Sequence, residues 1–394
     1  MPRTARRRPL PSSGRQRHVL LVLGWYDHRL HQGIAKYAQE QGWHLSANLA
    51  RERVIPWGWR GDGVLAWLGA GDDLVEFVES VRKPTVDFSW RRPHLPFARV
   101  LQDHAHAARL AAEHFLARGF KHYLFYSDTD NWSYEERGRG FVAALQAAGH
   151  PCTWIRWHES GVPHGQREEW SKRRAWLAAQ MRQAPKPLAV FAANDQLGVD
   201  VLEACNQSGL SVPEQVAILG AENYLLAVDA MRTPLSSVDT NLEEQGYEGA
   251  ALLDRLMRGG RSPAEPLRVT AARVITRRSS DILAVTHPSV ARGLRFIWEH
   301  FREEIGIDDV ARAAAFSRRG LHQAFLEHLN RTPGAELRTR RLEHAKKLLA
   351  ETDEKVEIIA KLSGYRSANS FCVGFKKSEL VSPVAYRRSV RLRK

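Results

Sequence analysis

Short apolar runs alternate with helix-like stretches through most of this 394-residue chain, and the alternation leaves few folds open to it. HVLLVL from His18, DGVLAWL from Asp62, PTVDFS from Pro84 and ARVLQ from Ala98 have the length and composition of strands. Between them lie helical patterns such as LHQGIAKYAQEQG and DDLVEFVESV, the second with Leu74, Val75 and Val78 on one face. After HAARLAAEHFLARG the series starts again with HYLFYS, CTWIRW, LAVFAA and VAILGA. A βαβ rhythm run twice predicts two lobes over residues 18–280, each an α/β, Rossmann-like parallel sheet with helices on both faces.

Ligands of such sheets bind beyond the carboxyl ends of the strands. The residues found there are Trp25, Tyr26 and Asp27 after the first strand, Trp90 after PTVDFS, and Asp128, Asp130 and Trp132 after HYLFYS. Asn194 and Asp195 follow LAVFAA, and Glu222 and Asn223 follow VAILGA. Fixed carboxylates and amides beside flat aromatic faces suit a neutral polyhydroxylated ligand, whose hydroxyls need paired groups while its CH faces need apolar cover. A sugar is therefore the expected ligand. Each tryptophan has a competing reading as core, since eleven of the twelve lie in this part of the chain.

Charge divides unevenly. Residues 1–18 hold six arginines and no acid, 19–282 hold 30 basic against 31 acidic side chains, and 283–394 hold 22 against 13. A near-neutral body thus stands between a basic tail (1–17), expected to be disordered, and a basic C-terminal domain (281–390). Nucleic acid is the usual partner of such patches, because neutralised phosphates release counterions. The tail has no apolar segment of the secretory kind, and no run approaches eighteen apolar residues, so a cytoplasmic protein without membrane contact is expected. Cys152, Cys205 and Cys372 lack any CxxC spacing, so neither zinc nor redox work is implied.

The body also carries a resemblance. FAANDQLGVDVLEACNQSGLSVPEQVAILGAEN with TPLSSVDTNLEEQGYEGAALLDRLMRG resembles the C-terminal lobe of LacI-family effector domains, relatives of periplasmic sugar-binding proteins. VLQDHAHAARLAAEHFLARGFKHYLFY and ERGRGFVAALQAAG are similar to other segments of that domain in the same order. The resemblance implies two lobes closing on a small ligand, with Arg137, Asn194, Asp195 and Glu222 at the family's ligand-binding positions; Ala221 stands where an aromatic is common. The competing readings are an N-cap for Asp195 and surface pairing with Glu135 or Glu136 for Arg137.

Only about eighteen residues precede that domain, so the reader of DNA is expected elsewhere. In DDVARAAAFSRRGLHQAF, Asp308 is a candidate N-cap, and Val310, Ala311 and Ala314 share one helical face. Ser317 is placed to cap a second helix with Leu321, Ala324 and Phe325 inward and Arg318, Arg319, His322 and Gln323 outward. This is a helix-turn-helix pattern, expected at about 305–330, and it recurs at about 355–380. Val310-Ala311, Ala315-Phe316, Leu321, Phe325 and Thr332-Pro333 are echoed by Ile359-Ala360, Gly364-Tyr365, Phe371, Phe375 and Ser382-Pro383. The offset is 49 at the start and 50 from the recognition helix onward, consistent with one extra turn residue. ELRTRRLEHAKKLLAET reads as a connecting helix with Leu342, Ala345 and Leu349 inward. Two such units can enter major-groove faces about 10 bp apart on double-stranded DNA.

The region from RLEHAKKLL through SPVAYR resembles the DNA-binding domain of the AraC family. The resemblance implies base reading by Arg319, His322 and Gln323, with Ala368, Asn369, Cys372 and Val373 at the matching positions of the second unit. Arg366, Lys376 and Lys377 are expected phosphate contacts. Together the two resemblances imply a sugar-responsive activator, xylose foremost as effector, acting as a homodimer with RNA polymerase as a partner. An AraC-type regulator answering another sugar, or one whose effector domain only dimerises, is the alternative. An enzyme is not expected. GRGFVA (Gly138 to Ala143) fits a dinucleotide fingerprint but does not directly follow a strand, His104 and His106 point different ways on one helix and make a poor metal pair, and no cofactor is implied.

Overall fold

The computed structural model describes residues 15–47, 49, 54–69, 71–160, 170–224, 232–282, 287–329 and 331–391. Most of the arginine tail, residues 1–14, lies outside them. The described end of the tail is ordered, which corrects the expectation of a disordered arm as far as residue 17: Arg17 donates to the Asp254 carboxylate at 2.7 Å and its carbonyl accepts from His44. The chain divides at Asp281/Ile282 into two compact units, with Arg118–Phe120 grouped with the second.

In the first unit, β1 (His18–Leu23), β2 (His44–Ser46), β3 (Gly63–Trp67), β4 (Thr85–Asp87) and β5 (Ala98–Asp103) form one parallel sheet together with β11 (Leu267–Thr270). The strand order is β11-β5-β4-β3-β1-β2. Burial on both faces is visible within β1. Val19, Leu21 and Leu23 pack with Leu30, Ile34 and Ala38 of α1 (His28–Gln41) and with Leu252 and Leu253 of α7 (Leu242–Met257). Leu20 and Val22 point the other way, onto Phe77 and Val78 of α2 (Asp73–Val81). The two-residue alternation of a strand thus feeds two separate apolar layers. Helices α1 and α7 approach backbone to backbone, because a Cβ on Gly33 would lie 1.8 Å from the Glu243 carbonyl oxygen.

A second sheet has the order β12-β10-β9-β8-β6-β7. It comprises β6 (His122–Ser127), β7 (Cys152–Arg156), β8 (Leu188–Ala192), β9 (Val216–Ala221), β10 (Ser236–Asp239) and β12 (Arg273–Ile275), all parallel except β12 against β10. With it pack α3 (His104–Leu116), α4 (Trp132–Ala147), α5 (Trp170–Gln183) and α6 (Asp195–Gln207). The chain passes between the lobes three times: from β5 into α3, from β10 into α7, and from β11 into β12. The crossings are tied together by sheet pairing, Asp103 opposite Thr270 and Asp239 opposite Arg273, with Ala272 N–H donating to the Asp239 carbonyl at 2.9 Å. Strands β2, β11 and β12, three or four residues each, carry too short an apolar signature for periodicity to register.

The second unit is helical. Its elements are α8 (Pro288–His300), α9 (Ile307–Ala313), α10 (Arg318–Leu329), α11 (Pro333–Glu351), α12 (Val356–Leu362), α13 (Ala368–Glu379) and α14 (Pro383–Arg391). Helix pairs α9/α10 and α12/α13 are the two helix-turn-helix units. The first core gathers Val290, Leu294 and Ile297 of α8 with Val310, Leu321, Phe325 and Leu337. The second gathers Ala345, Leu349, Ile359, Phe371 and Phe375. Helix α11 therefore supplies side chains to both. The cap expected at Asp308 is corrected: Gly306 is the N-cap, and Asp309 accepts from its N–H at 2.9 Å because extended backbone at Gly306 directs that N–H toward the carboxylate three residues on. Ser317 does cap its helix, accepting from Gly320 N–H at 3.1 Å.

The extra turn residue of the second unit falls between α12 and α13, where five residues replace four. Each turn contains one left-handed residue, Ala315 at φ +49 and its counterpart Gly364 at φ +76. Left-handed backbone costs a non-glycine residue about 1 to 2 kcal/mol, so Ala315→Gly is expected to hold or raise stability, by up to about 1 kcal/mol after the greater unfolded-chain entropy of glycine is offset. Gly364→Ala should lower it by more than about 1 kcal/mol, since a Cβ there would meet the Phe301 carbonyl oxygen at 2.1 Å. Urea unfolding of the two variants measures both.

Candidate functional site

A cleft of about 350 Å³ opens between the two lobes of the first unit, at the carboxyl ends of their strands. That is the small end of the roughly 300–1,000 Å³ range for small-molecule sites. Of the residues singled out from sequence, Trp25, Trp132, Arg137, Asn194 and Glu222 line it. Trp25 stands against Trp67 at 4.7 Å between ring centroids, and Trp132 meets the His104 ring edge-on at 4.8 Å. The cleft is thus apolar on two flanks and polar at its floor.

Arg137 is the centre of that floor. It projects from α4 and is 1% exposed, so its charge must be matched within the protein. Its guanidinium donates to the Glu222 carboxylate at 3.0 Å, to the Ala193 carbonyl, to His104 Nδ1 at 3.2 Å and to the Gln102 side-chain oxygen at 3.4 Å. Burial, and then the Arg137 charge, hold the His104 imidazole well below its ordinary range. His104 is therefore neutral at physiological pH and accepts from Arg137. Gln102 in turn donates to Gln245, whose amide is anchored on the Val100 carbonyl. Asn194 accepts from Leu197 N–H as the N-cap of α6 and donates to the Tyr134 hydroxyl at 2.8 Å.

Gln102, Tyr134 and Gln245 line the cleft without having been singled out from sequence, as does His104, which was weighed only as a metal ligand. Gln102 and His104 carry the same signal as the others, lying where β5 ends and α3 begins. Tyr134 and Gln245 sit inside helices, where nothing local marks them.

Asp27, Trp90 and Asp195 are not among the lining residues. Asp27 caps α1 and holds the Arg29 guanidinium with both oxygens, at 2.8 Å and 3.0 Å. Trp90 lies over Arg99, 5.2 Å from its ring centre. Asp195 is 1% exposed beneath Gly220; it accepts from the Ser237 hydroxyl and from Tyr224 N–H, and the capping expected of it belongs to Asn194. Arg137 likewise does not pair with Glu135 or Glu136: Glu135 is engaged by Arg139 and Arg156, Glu136 by Arg268. Asp128 joins Arg173, and Asp130 joins His158.

Arg29 joins the lobes. From α1 it donates to the carbonyls of Glu222 and Asn223, the second at 2.9 Å. Those two residues carry φ of +95 and +52, a backbone form that costs non-glycine residues of the order of 1 to 3 kcal/mol and persists only where the surroundings fix it. Arg29 is one of the groups that fix it.

In the second unit Arg318, Arg319, His322 and Gln323 are exposed on α10. Arg318 pairs with Asp308 at 3.2 Å and Gln323 donates to Glu327 at 2.9 Å. Arg366, Asn369, Lys376 and Lys377 are exposed on the second helix-turn-helix unit, whereas Cys372 is half-buried against its core.

The chain matches two family models, a periplasmic binding protein-like domain at residues 112–280 and a helix-turn-helix domain at 310–389. Over nearly its whole length it is similar to xylose operon regulatory proteins. That of Haemophilus influenzae is 28% identical over 83% of this chain and 84% of the relative. That of Escherichia coli K12 is 27% identical over 92% and 94%. A solved structure described as the xylose-binding transcription activator xylR superposes with a TM-score of 0.66 at 25% identity, covering 95% of this chain and 98% of that one.

Asp195 and Arg29, which stand outside the lining, each set a measurable expectation. Burial pushes the Asp195 carboxyl up to about 7 from 3.8, with Ser237 and Tyr224 opposing. Its folded value exceeds its unfolded one, so folding takes up a proton, and the associated stability is present below about pH 4 and lost as pH rises through 7. Asp195→Asn should flatten that decline and exceed the parent at pH 8 by of the order of 1 to 3 kcal/mol, measured as urea midpoints from pH 4.5 to 8. Arg29→Ala should weaken effector binding about tenfold in calorimetry, because two interlobe hydrogen bonds at a strained turn are lost.

Proposed function

We infer that this chain, a sugar-responsive transcription regulator in which a periplasmic binding protein-like domain precedes an AraC-type helix-turn-helix domain, takes xylose as its effector and activates pentose-use genes. The observation that carries the effector assignment is the Arg137 node. Its positive charge is already matched by Glu222 and its neighbour His104 is neutral, so the floor of the cleft offers donors and acceptors without demanding a charged ligand. Trp25 and Trp132 supply flat apolar cover for the CH faces of a sugar ring. The small volume favours a monosaccharide. Similarity to xylose operon regulatory proteins supports xylose as that monosaccharide.

The response is a population shift. A sugar that contacts both lobes binds their closed arrangement more tightly than an open one, and only that difference moves the equilibrium. In this reading the protein acts in the cytoplasm as a homodimer, closure alters the geometry of the dimer, and the altered geometry sets whether the paired readers fit operator DNA and meet RNA polymerase. Arg319, His322, Gln323 and Asn369 contact bases, while Arg318, Arg366, Lys376 and Lys377 contact phosphates. Phosphate neutralisation by this basic domain makes binding steeply salt-dependent.

Thermal unfolding against a panel of pentoses and hexoses tests the effector. Xylose at a hundred times its dissociation constant should add about 2.7 kcal/mol and raise the midpoint visibly. Glu222→Gln should bind xylose about tenfold or more weakly, because a charge-assisted hydrogen bond is lost. A shift with a different sugar alone discards xylose, and full affinity in the variant discards the site.

A further inference from the structure

The two recognition helices present different chemistry at equivalent places. With the offset of 50 residues, Arg319 corresponds to Asn369, His322 to Cys372, Gln323 to Val373 and Leu326 to Lys376. In α13 the buried side is made by Phe371 and Phe375. At 100° per residue, Val373 falls diametrically opposite those two, at the crest of the outward face. It is 64% exposed and belongs to neither core of the unit. Gln323 holds the same crest on α10.

A β-branched apolar side chain at the crest of a solvated helix gains nothing for the fold, and β-branching slightly disfavours the helix. Its surroundings are polar and basic: Asn369 is one turn before it, and Lys376 and Lys377 come within a turn after it. The next residue is Gly374, around which a Cβ would find open space. It costs helix stability but allows close approach of another surface. Positive charge around a projecting isopropyl group fits a polyanion that offers an apolar group at the bottom of a groove. In duplex DNA the apolar group that projects into the major groove beside the hydrogen-bonding base edges is the C5 methyl of thymine.

We propose that Val373 reads a thymine methyl group, with Asn369 on an adenine beside it, so that the second reader selects an A·T-containing subsite. Resting on the operator-binding reading above, this deepens it by naming the base. The first reader, with Arg319, His322 and Gln323 at the equivalent places, selects hydrogen-bonding base edges instead.

The test uses the full chain and the wild-type sequence first. Duplexes are enriched from a random-sequence pool with xylose present, and each conserved thymine of the enriched site is replaced singly by deoxyuridine, which removes only the methyl group. One replacement in the half bound by α13 should weaken binding about fourfold, the worth of one buried methyl-sized group. In Val373→Ala that replacement should cost clearly less than in the wild type, while other positions of the site keep their wild-type sensitivity. Asn369→Ala should relax the preference for the neighbouring adenine. An enriched site insensitive to deoxyuridine at every thymine, or the same sensitivity in Val373→Ala, overturns the assignment and leaves DNA reading intact. Failure to enrich any sequence overturns the operator-binding reading itself and this inference with it.

Discussion

A guanidinium with almost no solvent contact organises the first unit. Arg137 cannot be buried without partners, since an uncompensated interior charge costs several kcal/mol. The partners lie on separate segments: Gln102 and His104 at the end of β5 and the start of α3, Ala193 after β8, and Glu222 after β9. Each belongs to a strand terminus that sheet hydrogen bonding alone would leave free to vary. Satisfying one side chain therefore fixes several strand ends at once, and the cleft acquires a defined floor. Glu222 and Asn223 carry positive φ in the turn that bears that carboxylate, and Arg29 holds the same turn from the other lobe.

Neutrality is the second consequence. An arginine alone would make the cleft an anion site. With Glu222 as counter-ion and His104 kept uncharged, the same guanidinium serves as an orienting group among amides. Burial thus performs two jobs, since the desolvation that enforces pairing also silences the histidine.

Much of this was legible in the order of residues. The βαβ rhythm marked both sheets because strands buried on both faces are apolar throughout, and the duplicated 49- and 50-residue offsets located both helix-turn-helix units. Strand ends point to Trp25, Trp132, Asn194 and Glu222 in the cleft, whereas Arg137, inside α4, is marked only by the resemblance to LacI-family effector domains. The same rule also returned Asp27, Trp90 and Asp195, because it selects polar and aromatic residues after strands without telling which way a side chain turns. Asp195 turns inward to Ser237, and Asp27 to its neighbour Arg29. Tyr134 and Gln245 escaped because their partners lie 60 and 143 residues away. Long-range pairing leaves no local periodicity to read.

Helix α11 has a place in both cores of the second unit, through Leu337 in one and Ala345 and Leu349 in the other. A continuous helix of 19 residues is a stiff rod, and each residue added or removed rotates its downstream end by about 100° and shifts it by about 1.5 Å. The phasing of the two helix-turn-helix units is thus set by a length that cannot change gradually. The exposed side chains of α10 and α13 can change one at a time, whereas the spacing and rotation between the two helices change only in whole-residue steps.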